Sequence, residues 1–145
     1  MTGALELIEV SVDYHRGGQP VHALDSVSLA IGRSESVAVM GPSGCGKSTL
    51  LGVLALTIPP TSGTVLVSGV PAPSSPDGRA RTRNRLLGLI PQSGAVIDHL
   101  SVLANVSLPL EYSRPRTRRR VRHERARQAL ADVGIGWAEA TTPPR

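Results

Sequence analysis

Phenylalanine is absent from this sequence, and other aromatic residues are scarce: one tryptophan and two tyrosines occur among 145 residues. The hydrophobic core must therefore be aliphatic. The single cysteine, Cys45, excludes an internal disulfide framework and fits a reducing compartment. No apolar run approaches the ~18 residues of a membrane span, and the N-terminus lacks the regions of a signal peptide. We expect a cytosolic protein whose length suits one compact domain.

Lysine is scarce as well, because Lys47 is the only lysine among 16 basic residues. Twelve of the basic residues lie between Arg79 and Arg127, a stretch with three acids, and the formal net charge is +5. Such a run occurs on solvated helix faces and at sites for anionic lipid or nucleic acid. The stretch "RPRTRRRVRHERARQAL" within this run contains no aromatic residue, and Ala126, Leu130 and Val133 give it an ordinary core face. A solvated face is favoured, and specific nucleic-acid binding is the least favoured alternative.

The spacing of apolar residues predicts both strands and helices. Period-two alternation predicts strands at residues 5–12, 23–31 and 64–69, and continuous apolar runs typical of buried strands occur at residues 36–40 and 86–90. Helical spacing follows Lys47, with Leu50, Leu51, Leu54 and Ala55 on one apolar stripe, and recurs over residues 116–133. Ser101 is placed to cap a helix that Pro109 ends or kinks. The Pro-rich stretch over residues 70–85 is expected to be a surface segment without regular structure.

One stretch combines glycines with the only lysine of the chain. The octapeptide "GPSGCGKS" fits the pattern G-x-x-x-x-G-K-[ST] and lies between a predicted buried strand and a predicted amphipathic helix. Its glycines let successive backbone N–H groups point inward as a nest for phosphate oxygens, and the helix N-terminus adds a positive dipole end. We therefore predict nucleotide binding by the residues of this loop: Gly41, Pro42, Ser43, Gly44, Cys45, Gly46, Lys47, Ser48 and Thr49.

We expect the polar side chains of this loop to contact different parts of the expected ligand, MgATP. Lys47 supplies a point charge between the β- and γ-phosphates, the Ser48 hydroxyl completes the Mg²⁺ shell, and Thr49 bonds the α-phosphate region. Cys45 lies inside the loop. It is either a small filler residue or an accessible thiol whose modification blocks nucleotide binding.

Several further stretches carry a resemblance to a known family. "MGPSGCGKSTLLGVLA" is followed by "PPTSGTVLVSG" and then by "RTRNRLLGLIPQ", and "LSVLANVSLPLEY" precedes an Arg-rich segment and "LADVGI". In this order the stretches resemble the nucleotide-binding subunit of an ATP-binding cassette (ABC) transporter, and "LELIEVSVDYHRGGQPVHALDSVSLAI" is similar to the N-terminal strands of that family. The long first loop and "NVSLPLEY" indicate the lipoprotein-release and macrolide-export branch.

The resemblance implies two further site residues. Tyr14 matches the aromatic residue that stacks on adenine, a task that suits an aromatic face; the alternative is a half-buried strand tyrosine. Gln92 matches the Q-loop glutamine, which reaches Mg²⁺ and the attacking water, so that Lys47 and Gln92 are the catalytic residues expected in this chain. Two departures from the family pattern are nearby: Pro91 fixes φ and removes a donor before the glutamine, and Ser34 replaces a turn glycine.

The resemblance also implies an architecture and partners. The expected fold is α/β, with a P-loop NTPase (RecA-like) core, an N-terminal antiparallel β subdomain and the start of a helical subdomain, incomplete as a whole. One partial ATP-binding domain would cover residues 1–145, with the β subdomain and P-loop core at 1–92 and the helical start at 93–145. The implied partners are a transmembrane permease subunit, one of whose loops could contact the arginine run, and a second ATP-binding subunit in a homodimer or pair. The implied location is cytoplasmic, peripheral at the inner face of the membrane through the permease.

The catalytic half of the family pattern is missing from the sequence. No apolar strand ending in Asp-Glu follows Gln92, because Asp132 continues a helical stripe and precedes Val133, and no "LSGGQ"-like signature occurs. Neither His99 nor His123 is placed as the family's switch histidine. In the family the signature follows a segment like "TTPPR", so the resemblance implies a chain that stops just before it. We expect MgATP to be bound weakly and hydrolysed poorly or not at all.

Three functions are compatible with the sequence. The first is the ATP-hydrolysing subunit of an ABC transporter in partial form, and the second is a nucleotide-binding protein without hydrolysis. The third is another P-loop enzyme, such as a small kinase or a DNA-associated ATPase. The order of motifs around Gln92 argues against a kinase, and a DNA-associated ATPase would bind DNA with a steep salt dependence.

Overall fold

The computed structural model describes residues 3–92, 96–113 and 116–143. It forms two compact units, residues 1–87 and 88–145. The boundary that the sequence predicts between the P-loop core and the helical start follows residue 92. Within the described ranges, the first unit contains β1 (Leu5–Arg16), β2 (Gln19–Ile31), α1 (Lys47–Leu54), β3 (Ser62–Val67), β4 (Val70–Pro71) and α2 (Pro76–Leu86). The second contains α3 (Val102–Glu111), α4 (Arg119–Asp132) and a 3₁₀ turn (Gly136–Ala138).

The strands form one antiparallel sheet with the order β2-β1-β3-β4. The strands predicted at residues 5–12 and 23–31 are confirmed and extend further, because they join in a tight hairpin. Gly17 and Gly18 both have positive φ, 59° and 79°, as the type I′ turns of two-residue hairpins require. The connection between the strands, for which "HRGGQP" predicts a Gly/Pro loop, is therefore a turn of two glycines.

A bulge bends the central strand β1. Leu7 pairs with Leu29 and Val10 with Val27, so β1 holds one extra residue between these pairs. Glu9 lies in this bulge with φ 48°, and Gly63 of β3 packs against it. A Cβ at Gly63 would lie 2.3 Å from the Glu9 carbonyl oxygen.

The core of the first unit lies between one face of the sheet and α1 with the residues that follow it. Its buried members are all aliphatic, as the composition requires: Leu7, Val10, Val12, Leu24, Val53, Leu54, Leu56, Val65 and Val67. The helix predicted after Lys47 is confirmed as α1. Leu51, expected on its buried stripe, is half exposed, and the helix is buried instead at Val53 and Leu54 near its C-terminal end.

Two predicted buried strands are not strands in the structure. Residues 36–40 and 87–90 belong to no regular element, and Met40 and Ile90 are 86% and 95% exposed. A strand is buried on both faces only when neighbouring strands take up its backbone N–H and C=O groups. Within the described part of the chain, no strand pairs with either segment.

The Pro-rich stretch contains a helix where an irregular segment was expected. Ser75 caps α2 by accepting a hydrogen bond from the Gly78 N–H at 3.1 Å, and Pro76 occupies the first turn. Both features favour helix initiation. Leu86, predicted to begin a strand, is the last residue of this helix.

The first helix of the second unit begins where the sequence predicts. Ser101 caps α3 through its hydroxyl, which accepts from the Ala104 N–H at 3.2 Å. The helix continues past Pro109 to Glu111. The proline therefore does not end the helix, and it removes one backbone donor near the C-terminal end.

The second helix of this unit, α4, lies within the predicted range of residues 116–133 and buries Ala126 and Leu130. Val133, predicted on the same buried face, is 69% exposed because it follows the last residue of the helix. Arg122 connects it to α3 by donating to Glu111 at 3.0 Å. In the described ranges, no helix is both long and apolar enough to cross a bilayer.

The bulge contact at Gly63 predicts a large loss of stability on substitution. Gly63→Ala and the control Gly18→Ala both place a Cβ on a residue with positive φ, which costs roughly 1–2 kcal/mol. Only Gly63 also meets backbone atoms, since nothing lies within 4 Å of a Cβ at Gly18. We expect Gly63→Ala to lower the free energy of unfolding in urea by about 3 kcal/mol or more, and Gly18→Ala to lower it by only the roughly 1–2 kcal/mol of the positive φ. Equal losses would contradict a steric role for the bulge.

Candidate functional site

The glycine-rich loop leads into a helix whose N-terminus has no side-chain cap. Gly46 is the N-cap residue with φ 93°, and the Leu50 N–H makes the first helical hydrogen bond, to the Gly46 carbonyl at 2.8 Å. The N–H groups of Lys47, Ser48 and Thr49 precede that bond. Because the first N–H groups of a helix have no partner inside it, they are available to an anion.

The loop is seated against the second strand of the hairpin. Val12 pairs with Leu24 and Asp13 with His22, which leaves Ala23 as an extra residue on β2. A Cβ at Gly46 would lie 2.4 Å from the Ala23 carbonyl oxygen. Glycine is therefore required at this position twice over, by the left-handed φ and by the close backbone contact.

The ammonium group of Lys47 folds back over the loop. It donates to the carbonyl oxygens of Gly41 at 2.9 Å and Pro42 at 2.6 Å, and lies 3.6 Å from Cys45 Sγ. Among the described residues no carboxylate forms an ion pair with it. A cation held by neutral carbonyls and a thiol, beside the free N–H groups at the start of α1, fits the negative charge of a phosphate.

Tyr14 lies on the side of the hairpin that faces the loop and helix. It pairs with Val21, and residues two apart in a strand share a face, so Tyr14 follows the buried Val12 on the same face. The Leu24 side chain on that face is 3.4 Å from the Cβ position at Gly46. Tyr14 is 41% exposed. An exposed aromatic ring on this face can stack on a planar ligand.

The other residues singled out in the sequence lie in the second unit. Gln92 is exposed and directly precedes residues 93–95, which lie outside the described part. Its role together with the loop remains a prediction. Asp132 is the last residue of α4, where its carboxylate accepts from Gln128 at 2.7 Å. It lies at a helix end and not after a strand, in line with its exclusion as a catalytic acid.

Two contributors to this site were not predicted from the sequence. Ala23 supports the loop through its carbonyl, and Val21 lies opposite Tyr14 with 45% of its surface exposed. The hairpin register could have indicated Val21. The bulge at Ala23 has no sequence signal, because it depends on how the two strands pair.

Comparisons with known proteins all identify the same family. Residues 24–144 match the family described as ABC transporter. The chain is 40% identical over 141 residues to the lipoprotein-releasing system ATP-binding protein LolD of Bordetella pertussis, covering 97% of this chain and 60% of that protein. It is 39% identical over 136 residues to the macrolide export ATP-binding/permease protein MacB of Salmonella choleraesuis, covering 93% of this chain and 21% of that protein. The predicted likeness to this branch is confirmed.

The fold agrees with a solved structure. The dimeric ATP-binding cassette MJ0796, in a post-hydrolysis state with ADP and Pi, matches with a TM-score of 0.85 and 30% identity, over 96% of this chain and 61% of that chain. This match confirms the predicted α/β class of the ATP-binding cassette. The chain spans about 60% of the length of LolD and of this cassette.

The position of Cys45 predicts that its thiol and a nucleotide exclude each other. Cys45 is exposed, and its Sγ lies 2.8 Å from the Cβ position at Gly41 and 3.6 Å from Lys47 Nζ. A bulky group on this sulfur would occupy the space beside the ammonium that the phosphates need. We expect alkylation by a large maleimide to abolish ATP binding. ATP at 100 times its Kd should slow the alkylation about a hundredfold. Cys45→Ala, which cannot react, is the control, and unchanged ATP binding after complete alkylation would contradict the expectation.

Proposed function

The chain belongs to the ABC transporter family, and on that basis we propose that it is the nucleotide-binding part of an ATP-binding subunit that powers a partner permease. The observation that carries the proposal is the uncapped N-terminus of α1 beside the Lys47 ammonium, which hydrogen-bonds to neutral carbonyls and has no carboxylate partner in the described part of the chain. The residues that would hold MgATP are those of the loop and the base-stacking tyrosine: Tyr14, Gly41, Pro42, Ser43, Gly44, Cys45, Gly46, Lys47, Ser48 and Thr49.

On phosphate binding, the Lys47 ammonium would exchange its neutral carbonyl partners for charged phosphate oxygens. Lys47 would release the carbonyls of Gly41 and Pro42 and bind the β- and γ-phosphate oxygens, which accept stronger, charge-assisted hydrogen bonds. The N–H groups at the start of α1 would receive the remaining oxygens. Ser48 would contribute its hydroxyl to the shell of Mg²⁺, and Mg²⁺ neutralises charge on the phosphates when it is bound.

The hairpin would bind the base. Tyr14 and Val21 form a partly exposed pair on the face that supports the loop, and a flat aromatic surface binds an adenine ring without reading its edge. This arrangement favours affinity for the base over discrimination among bases.

Hydrolysis needs groups that this sequence does not supply. Gln92 would position the attacking water, but neither an Asp-Glu pair after an apolar strand nor an "LSGGQ"-like signature occurs among the 145 residues. A water-positioning or basic group is part of every nucleotide hydrolase of this class. We therefore propose that this chain by itself binds MgATP and hydrolyses it poorly or not at all.

The partners follow from the names of the relatives. We propose a transmembrane permease and a second ATP-binding subunit, since MacB is named as a combined ATP-binding and permease protein and MJ0796 is dimeric. The chain would then lie at the cytoplasmic face of the membrane.

The nucleotide site is tested by titration with a fluorescent ATP analogue. Tyr14→Ala should weaken binding by roughly 5- to 150-fold, because stacking on an aromatic ring contributes about 1–3 kcal/mol per base. Lys47→Gln should weaken ATP binding by more than Tyr14→Ala does. It should also weaken the binding of a triphosphate more than the binding of adenosine. Tyr112→Ala changes the other tyrosine of the chain, exposed in the second unit, and should leave the Kd unchanged. Equal effects of the two tyrosine variants would argue against base stacking by Tyr14.

The second test measures phosphate release by the purified 145-residue chain at saturating MgATP. We expect turnover far below the ~1 s⁻¹ at which ordinary enzyme rates begin, with Kd measurable in the same sample. Turnover at or above that rate, lost in Lys47→Gln, would mean that the chain carries a complete hydrolytic site.

A further inference from the structure

Within the described part of the second unit, one group of arginines makes almost no contacts that would stabilise the fold. We name Arg116, Arg118, Arg119, Arg120 and Arg125 the arginine cluster. All five are exposed. Arg120 has an acidic neighbour, Glu124 at 3.6 Å, in a pair that is largely solvent-exposed. Within the described ranges, the other four form no ion pair.

The remaining arginines of the same helix are occupied. Arg122 donates to the Thr117 carbonyl at 2.9 Å and to Glu111 at 3.0 Å, with its side chain mostly buried. Arg127 donates to Glu139 at 2.8 Å. These two arginines connect α4 to its neighbours, so the structural use of arginine in this unit is already accounted for without the arginine cluster.

The position of the arginine cluster is electrostatically unfavourable when no anionic partner is bound. Four of its residues, all except Arg125, lie at the start of α4, where Arg118 is the N-cap residue, no side chain caps the helix, and the first turn holds no acid. The N-terminal end of a helix is already positive, and stable helices usually place acids there. Positive charge gathered at this end is therefore self-repelling unless an anionic partner compensates it.

Exposed apolar side chains flank the same helix. Val133 and Trp137 follow α4 with 69% and 80% exposure, and Tyr112 precedes it with 71%. Tryptophan and tyrosine favour the headgroup region of a bilayer because one end of each ring is apolar and the other forms hydrogen bonds. No aromatic residue lies among residues 116–127, so no ring alternates with the arginines themselves, as stacking groups do along a groove for single-stranded nucleic acid.

We propose that the arginine cluster binds the surface of an anionic lipid bilayer, with Trp137 in the headgroup region. Guanidinium groups bind phosphate in a bidentate way and carry charge at every physiological pH. Basic side chains near an anionic membrane surface each strengthen binding by about fivefold. The proposal does not depend on nucleotide binding, because the loop and the arginine cluster belong to different compact units.

The test is co-sedimentation of the 145-residue chain with vesicles of equal parts phosphatidylglycerol and phosphatidylcholine, and with vesicles of phosphatidylcholine alone. Binding should require the anionic lipid and fall as salt is raised. Trp137, the only tryptophan, should show a blue-shifted emission on the anionic vesicles. This fluorescence measurement needs no variant and so does not depend on how any substitution folds.

The matched variants carry three substitutions each and lose the same charge. Arg118→Gln, Arg119→Gln and Arg125→Gln together should lower the partition coefficient about a hundredfold, from about fivefold for each. Arg33→Gln, Arg81→Gln and Arg85→Gln together change exposed arginines of the first unit and should lower it less than about tenfold. Far-ultraviolet circular dichroism establishes that both triple variants are folded.

Three results would overturn the proposal. Equal binding to vesicles without anionic lipid would show that charge is not the cause. Equal losses in the two triple variants would show that net charge, and not the arginine cluster, governs binding. Binding to duplex DNA that matches vesicle binding in affinity and in its loss on substitution would identify a nucleic-acid surface instead.

Discussion

The structure around the candidate site depends on one backbone contact, between Gly46 at the end of the loop and the carbonyl of Ala23 on β2. This contact fixes where α1 begins relative to the sheet. The start of α1 in turn determines where Lys47 and the first free N–H groups lie. The same hairpin carries Tyr14 on the face beneath the helix, so the phosphate-binding and base-binding parts share one support. A side chain at Gly46 would disturb both.

The loop and the arginine cluster use positive charge in different ways. Lys47 is a single cation held over the loop by the neutral carbonyls of Gly41 and Pro42, which an anion can replace without breaking an ion pair. The arginine cluster is a group of cations on and before the first half of α4, and Glu124 is its one acidic partner among the residues that the structure describes. The first arrangement suits one compact ligand. The second suits an extended anionic surface.

The sequence predicted most of the local structure and much less of the packing. The hairpin strands, α1, the Ser101 cap and α4 follow from alternation, helical spacing and capping, which are local properties of the chain. The apolar runs at residues 36–40 and 86–90 were wrongly predicted to be buried strands, because an apolar run specifies a strand only when neighbouring strands are there to pair with it. The stretch before Leu86 was expected to be irregular, although Ser75 and Pro76 are both helix-start residues.

The sequence alone determined the chemistry of the loop, because the spacing of its glycines, Lys47 and Ser48 specifies backbone N–H groups, a cation and a hydroxyl at consecutive positions. It also determined an aliphatic core and the separation of charge along the chain. Only the tertiary structure decided that Gly46 rests on Ala23, that Val21 lies opposite Tyr14, and which arginines remain without partners. Those features depend on strand register and on contacts between residues distant in the chain, which no local pattern encodes.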